Sequence, residues 1–160
     1  MPTTPRRSKL QFRERAELLD FMLEVSAVTS ETLDLDELLQ NVSNIVRRVL
    51  HYELFAILLF NEREKDLRIR YAVGHREEVV RNLSIQLGEG ITGVAAQKKE
   101  AILVKDVRLD DRYLSAIDAV RTELAVPMLA RGRLVGVIDI QSTRLGAYQE
   151  DDQTTGLCCA

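Results

Sequence analysis

The sequence predicts an α+β domain: a six-stranded, mostly antiparallel sheet flanked by helices, with an amphipathic helix ahead of it. Three observations carry this. The hydrophobic period is helical before residue 50 and strand-like after it. Six alternating or continuous apolar runs follow, divided by charged or glycine-bearing turns. Helical stretches stand before, between and after these runs, the pattern of one sheet with helices around it.

The elements follow in order. Residues 1–12 read as a disordered tail. From Arg13 the pattern is helical, and Leu18, Phe21, Val25 and Val28 are spaced 3, 4 and 3 apart, an a/d seam. Such a stripe either packs on its own domain or pairs with a second copy. We expect a parallel homodimer through these four residues, in a signalling or dimerisation helix over 13–30. Asp34 with Glu37 three residues on is a capping-box-like start. The helix that follows carries Leu35, Leu38, Val42, Ile45 and Val49 on one face.

Phe55 to Phe60 is a continuous apolar run, a strand covered on both faces. After the charged turn at 61–66, Leu67, Ile69 and Tyr71 alternate with Arg68 and Arg70, a strand with one wet face. Gly74 ends it. A short helix is expected over 76–81, a strand over 83–87, a short helix over 91–97 and a strand over 101–104. Tyr113 to Ala119 reads as a helical turn or irregular segment. Strands at 124–129 and 134–140 meet at Arg131-Gly132.

That last hairpin holds the polar residues of interest. An acid such as Asp139 in an apolar strand needs a partner. A two-residue turn puts Leu124 beside Asp139. A three-residue loop puts Glu123 beside Gln141 and Ala125 beside Asp139. We favour the second, because it gathers the polar groups on one face. Glu123 and Asp139 then either bind a ligand or are satisfied by backbone amides and Arg121. The GEGITG run at 88–93 has a GxG before a helix, but no strand–crossover–strand setting for a dinucleotide. A tight turn at Gly88 and Gly90 and close packing at Gly93 explain it better. The helix start at Ile91-Thr92 still offers free N–H groups to an anion.

Composition excludes several classes. The chain has 160 residues, enough for one domain, and a net charge of −3, which gives no reason to expect nucleic acid. No run approaches the roughly 20 apolar residues of a membrane helix, and no secretory h-region follows the basic Arg6, Arg7 and Lys9. A cytoplasmic protein is expected, with no cofactor and no metal. His51 and His75 are far apart and have no ligand-spaced neighbours. The two cysteines are Cys158 and Cys159, adjacent and almost terminal.

The stretch GEGITGVAAQKKEAILVKDV, the turn Asp106, Asp110-Asp111-Arg112-Tyr113, and RTELAVPMLARGRLVGVIDIQS together resemble the GAF family of small sensory domains. The resemblance covers roughly residues 31–152. It implies a ligand between the sheet and the short helices, against Phe55, Ile57, Leu59, Ile91, Thr92, Tyr113, Glu123, Ala125, Val137, Asp139 and Gln141. It implies a regulatory module that relays binding of an unknown small molecule through the N-terminal helix to an output domain. A ligand-free dimerisation module is the alternative. A sulfoxide-reductase enzyme, known in one branch, ranks last, because Thr92 stands where that branch has a pocket cysteine. The chain is therefore expected not to be an enzyme. Residues 153–160, QTTGLCCA, depart from the family's closing helix and read as a truncated or altered end.

Overall fold

The computed structural model describes residues 34–114 and 119–149. The seam residues Leu18, Phe21, Val25 and Val28, the basic tail and Cys158-Cys159 lie outside these.

Helix α1 spans Leu35–Arg47. Asp34 caps it, its side chain accepting from the Asp36 amide at 3.0 Å. Strands β1 (Leu54–Asn61) and β2 (Asp66–Val73) form a hairpin. Helix α2 (Glu77–Asn82), β3 (Ser84–Gln86), α3 (Gly90–Lys98) and β4 (Ile102–Val104) follow. The hairpin β5 (Thr122–Ala130) and β6 (Arg133–Ser142) completes one antiparallel sheet of order β3-β2-β1-β6-β5-β4.

The sheet carries a core on each face. On one, Leu39, Val42 and Val46 of α1 pack on Phe55, Ile57, Leu124 and Ile140. On the other, Ile91, Ala95 and Ala96 of α3 pack with Ala56, Leu58, Ile85 and Val137. This is why β1 reads as an unbroken apolar run: both of its faces are covered. Gly136 lets β6 lie close to β1, since a Cβ there would meet the Leu58 carbonyl oxygen at 2.1 Å. Gly93 has the structural role expected of it: a Cβ would stand 2.4 Å from the Gln86 carbonyl oxygen, so α3 can sit against the end of β3 only with glycine there.

Aspartates organise the loop after β4. Asp106 and Asp110 each accept from the backbone amide two residues on, at 3.1 and 3.0 Å. Each also pairs with an arginine through two nitrogens, Arg108 and Arg112 respectively. Among the described residues, no helix is long and apolar enough to cross a membrane.

Candidate functional site

The β5–β6 hairpin brings three polar side chains together. Its turn has two residues, Arg131 and Gly132, both with positive φ (52° and 74°), the type that suits the twist of a hairpin. Ala130 then faces Arg133 and Leu129 faces Leu134, but Met128 faces Gly136, so Val135 is an extra residue on β6. The bulge shifts the register by one. Beyond it, Glu123 faces Gln141 and Ala125 faces Asp139. The expected pairing holds, but a two-residue turn plus a bulge makes it, not a three-residue loop.

Glu123, Asp139 and Gln141 are all buried, at 4%, 4% and 5% exposure. They form the polar end of a cavity of about 160 Å³. Ala56 and Leu58 of β1, Ile69 of β2 and Ile85 of β3 line its sheet side. Val79 of α2, Leu83 just after it, Ile91 and Thr92 at the start of α3, and Leu114 add to the lining. His75, between β2 and α2, completes the lining.

The site is built under electrostatic tension. Gln141 Nε2 donates to Asp139 Oδ2 at 2.6 Å. Asp139 Oδ1 and Gln141 Oε1 are shielded from solvent and have no hydrogen-bond partner. Burial, and then the charge of Asp139, raise the Glu123 carboxyl well above its ordinary range, with Asp110 adding and Arg112 opposing. Burial raises Asp139 too, and hydrogen bonds from Glu123 and Gln141 oppose this. Glu123, raised well above its ordinary range, is thus the acid of the pair that keeps its proton to higher pH, and the Asp139 carboxylate faces it as acceptor. Burial lowers His75, so its imidazole is neutral at pH 7. Both its ring nitrogens are shielded and without a hydrogen-bond partner. Among the described residues, no group of three or more His, Cys, Asp or Glu is placed to hold a metal.

Of the residues expected to meet a ligand, Ile91, Thr92, Glu123, Asp139 and Gln141 line the cavity. Ala125 and Val137 lie in the core on the same face without lining it, and Tyr113 packs against that core beside Leu114. Phe55, Ile57 and Leu59 are corrected: they point to the other face, into the core under α1. Side chains alternate along a strand, so the cavity takes Ala56 and Leu58. A continuous apolar run carries no parity signal, and the pairing with β6 decides the face. His75, Ile69, Val79, Leu83, Ile85 and Leu114 were not anticipated. Ile69 and Ile85 stood on the dry face of alternating strands and were readable as such. His75 had no local signal.

Comparison with known proteins places the fold. A GAF-domain family model matches residues 32–156. The free methionine-R-sulfoxide reductase of Escherichia coli is 28% identical over 69 residues, 43% of this chain and 42% of that protein. The structure of free methionine-R-sulfoxide reductase from Neisseria meningitidis in complex with its substrate superposes with a TM-score of 0.73 at 21% identity, covering 99% of this chain and 90% of that one. The GAF domain of an Acinetobacter phosphoenolpyruvate-protein phosphotransferase has a TM-score of 0.72 at 20% identity, covering 96% and 90%. The chain spans less than half the length of the E. coli relative it matches. These findings correct the expectation that the chain is not an enzyme, since its relatives in sequence and fold include enzymes named for reducing a sulfoxide. With a family match over most of its length, the chain belongs to the GAF domain family.

Proposed function

We propose that the cavity binds a small amine-bearing metabolite, a free amino acid of the methionine sulfoxide class, with its ammonium group on Glu123 and Asp139. The observation that carries this is the buried carboxylate pair in a mostly apolar cavity. Burial and the charge of Asp139 raise Glu123, and Asp139 Oδ1 and Gln141 Oε1 have no hydrogen-bond partner. An ammonium supplies up to three N–H donors and the missing charge. Size agrees: an apolar cavity of about 150 Å³ holds a benzene ring, so 160 Å³ suits a small metabolite and not a tetrapyrrole. The names of the reductase relatives support the amino-acid class.

For the chemistry, we infer reduction of the bound sulfoxide by thiols. A thiolate attacks the sulfoxide sulfur, and the oxygen, taking up a proton, passes to the attacking sulfur as its bond to the substrate sulfur breaks, so the thioether leaves and a sulfenic acid stays on the protein. A second thiol condenses with that sulfenic acid, forming a disulfide and water, and an external dithiol restores both. The only cysteines of the chain are Cys158 and Cys159, so this chain's own thiols are those two.

A second reading is favoured by the lack of any cysteine within the matched residues 32–156. In it the domain senses the same ligand and relays it through residues 13–30, paired by Leu18, Phe21, Val25 and Val28, to an output domain. Calorimetric titration with free L-methionine-R-sulfoxide tests the shared premise. Glu123→Gln and Asp139→Asn should each weaken binding by about 1.5–3 kcal/mol, the worth of a charged hydrogen bond. Unchanged affinity in both variants removes the acids from the site. Turnover with a dithiol then separates the enzyme from the relay.

A further inference from the structure

We propose that His75 is a second polar anchor of this cavity, holding the carboxylate of the same ligand, so that the site selects a zwitterion over a simple amine. The inference rests on the amine-binding reading above and extends it to the ligand's second charged group.

Glu123 faces Gln141, and Gln141 faces Leu54, so these three form one row across β5, β6 and β1. Val73 of β2 faces Phe55, the neighbour of Leu54. His75 follows two residues later, beyond the end of β2, beside that row's far end. Strands are spaced about 4.8 Å apart, so β2 stands about 10 Å from β6. In a free α-amino acid the ammonium and carboxylate share one carbon, so this head group, with a hydrogen bond of about 3 Å on each side, bridges from Asp139 toward His75. His75 lines that cavity, and neither of its ring nitrogens has a partner. Ring nitrogens shielded from solvent and left this way cost free energy that an accepting oxygen would recover. The two charged groups of a zwitterion thus each meet an atom that lacks a hydrogen-bond partner without them: Asp139 Oδ1 and a ring nitrogen of His75.

The protons reinforce the argument. Without ligand, burial favours a proton kept on the carboxylate pair and a neutral imidazole. An ammonium favours full ionisation of the pair and so displaces its proton. A carboxylate at His75 favours the imidazolium and so takes one up. A zwitterion therefore moves a proton from the acids to the histidine with little net exchange with solvent. The other charged groups around His75 do not supply this balance. Arg76, Glu77 and Glu78 of its own segment are exposed, Glu53 before β1 is engaged with Thr143, and Arg112 beside Glu123 pairs with Asp110.

The test is calorimetry with two probes, free methionine sulfoxide and its decarboxylated amine, in two buffers of different ionisation enthalpy. Wild type should bind the amino acid with little net proton release and the amine with release of a proton. His75→Phe should weaken the amino acid about tenfold or more, the scale of a lost charged hydrogen bond, leave the amine nearly unchanged, and release a proton with both. His75→Gln, which keeps a donor, should recover part of the amino-acid affinity. If the amine binds and His75→Phe affects both probes equally, the anchor is overturned while the carboxylate reading stands. If neither probe binds to a folded wild type, both are overturned.

Discussion

Glu123 stands directly opposite Gln141 across the β5–β6 hairpin, and one extra residue, Val135, sets that relationship. Without the bulge the two-residue turn would pair Leu124 with Asp139, and the face beyond it would invert. Deleting Val135 should therefore abolish the cooperative fold, because the shift would drive Asp139 and Gln141 into the core under α1. Val135→Ala keeps the count and should cost no more than about 1.5 kcal/mol, since Val135 is only partly buried. Urea unfolding of the two variants checks this. A deletion variant that unfolds like wild type would mean that the hairpin re-registers freely.

The carboxylate pair predicts a specific pH dependence. The ordinary value for Glu123 is 4.5, and its folded value is well above it. Between the two, the folded protein keeps a proton that the unfolded chain has lost, so this group's contribution to stability falls as pH rises. Below 4.5 both states are protonated and the penalty is gone. His75 acts in the opposite sense. It is held below its ordinary 6.5, so its neutral state stabilises the fold above that value, and this is lost as pH falls. The difference between wild type and Glu123→Gln isolates the carboxyl. In the absence of ligand the variant should melt higher than wild type at about pH 8, and the gap should close toward about pH 5. A constant gap across that range would mean that Glu123 is not raised.

The strand and helix order was legible in the sequence because period and turn chemistry agree at nearly every element. Gly74, with φ of 82°, ends β2 where expected, and Asp34 begins α1. The site was legible only in part. Asp139 and Gln141 announced themselves as polar residues in an apolar strand. The bulge at Val135 did not, because nothing in Leu134-Val135-Gly136 marks an extra residue locally. The face of β1 was lost for a related reason: Phe55 and Ala56 look alike to a pattern when both sides are buried. His75 depends on α2 folding back over the sheet, a tertiary fact with no sequence period.

Phe55 separates core from cavity by experiment. It is fully buried under α1 and stacks on Tyr52 with ring centroids 5.0 Å apart. Phe55→Ala should destabilise the fold by about 3–5 kcal/mol. In the fraction that remains folded, affinity for the sulfoxide should stay within about twofold, since the ring makes no contact with the cavity. Thermal melts beside calorimetry give both numbers. A large loss of affinity in folded protein would place Phe55 in the site after all.

Gly136 tests the approach of β6 to β1. An added Cβ would meet the Leu58 carbonyl oxygen, a backbone atom that cannot step aside as a side chain end can. Gly136→Ala should cost about 1–3 kcal/mol by forcing the strands apart. Because Leu58 also lines the cavity, ligand affinity should fall with it. Hydrogen exchange should localise the loss to the β1–β6 amides. Unchanged protection there would rule out the close approach as the reason for glycine.

Thiol chemistry gives the last prediction. If the proposed reduction uses this chain's own thiols, they are Cys158 and Cys159, the two cysteines of the sequence. Turnover with a dithiol reductant should therefore disappear in the double Cys158→Ser, Cys159→Ser variant, while calorimetric affinity for the sulfoxide stays the same. Thr92 offers a way back. It lines the cavity at the start of α3 and is 5% exposed. A thiol there would sit at a helix N-terminus, where the partial positive charge of the amides favours the thiolate. Thr92→Cys in the double-serine background should then restore attack on the sulfoxide, seen as one equivalent of thioether per protein in a single turnover without reductant. Resolution to a disulfide would still lack a second thiol, so the external dithiol must complete each later cycle. Turnover that survives in the double-serine variant would show that the protein's own thiols are not used, and that the cavity presents the sulfoxide directly to the external reductant. A wild type that binds the sulfoxide without turning it over would leave the relay through residues 13–30 as the use of that binding.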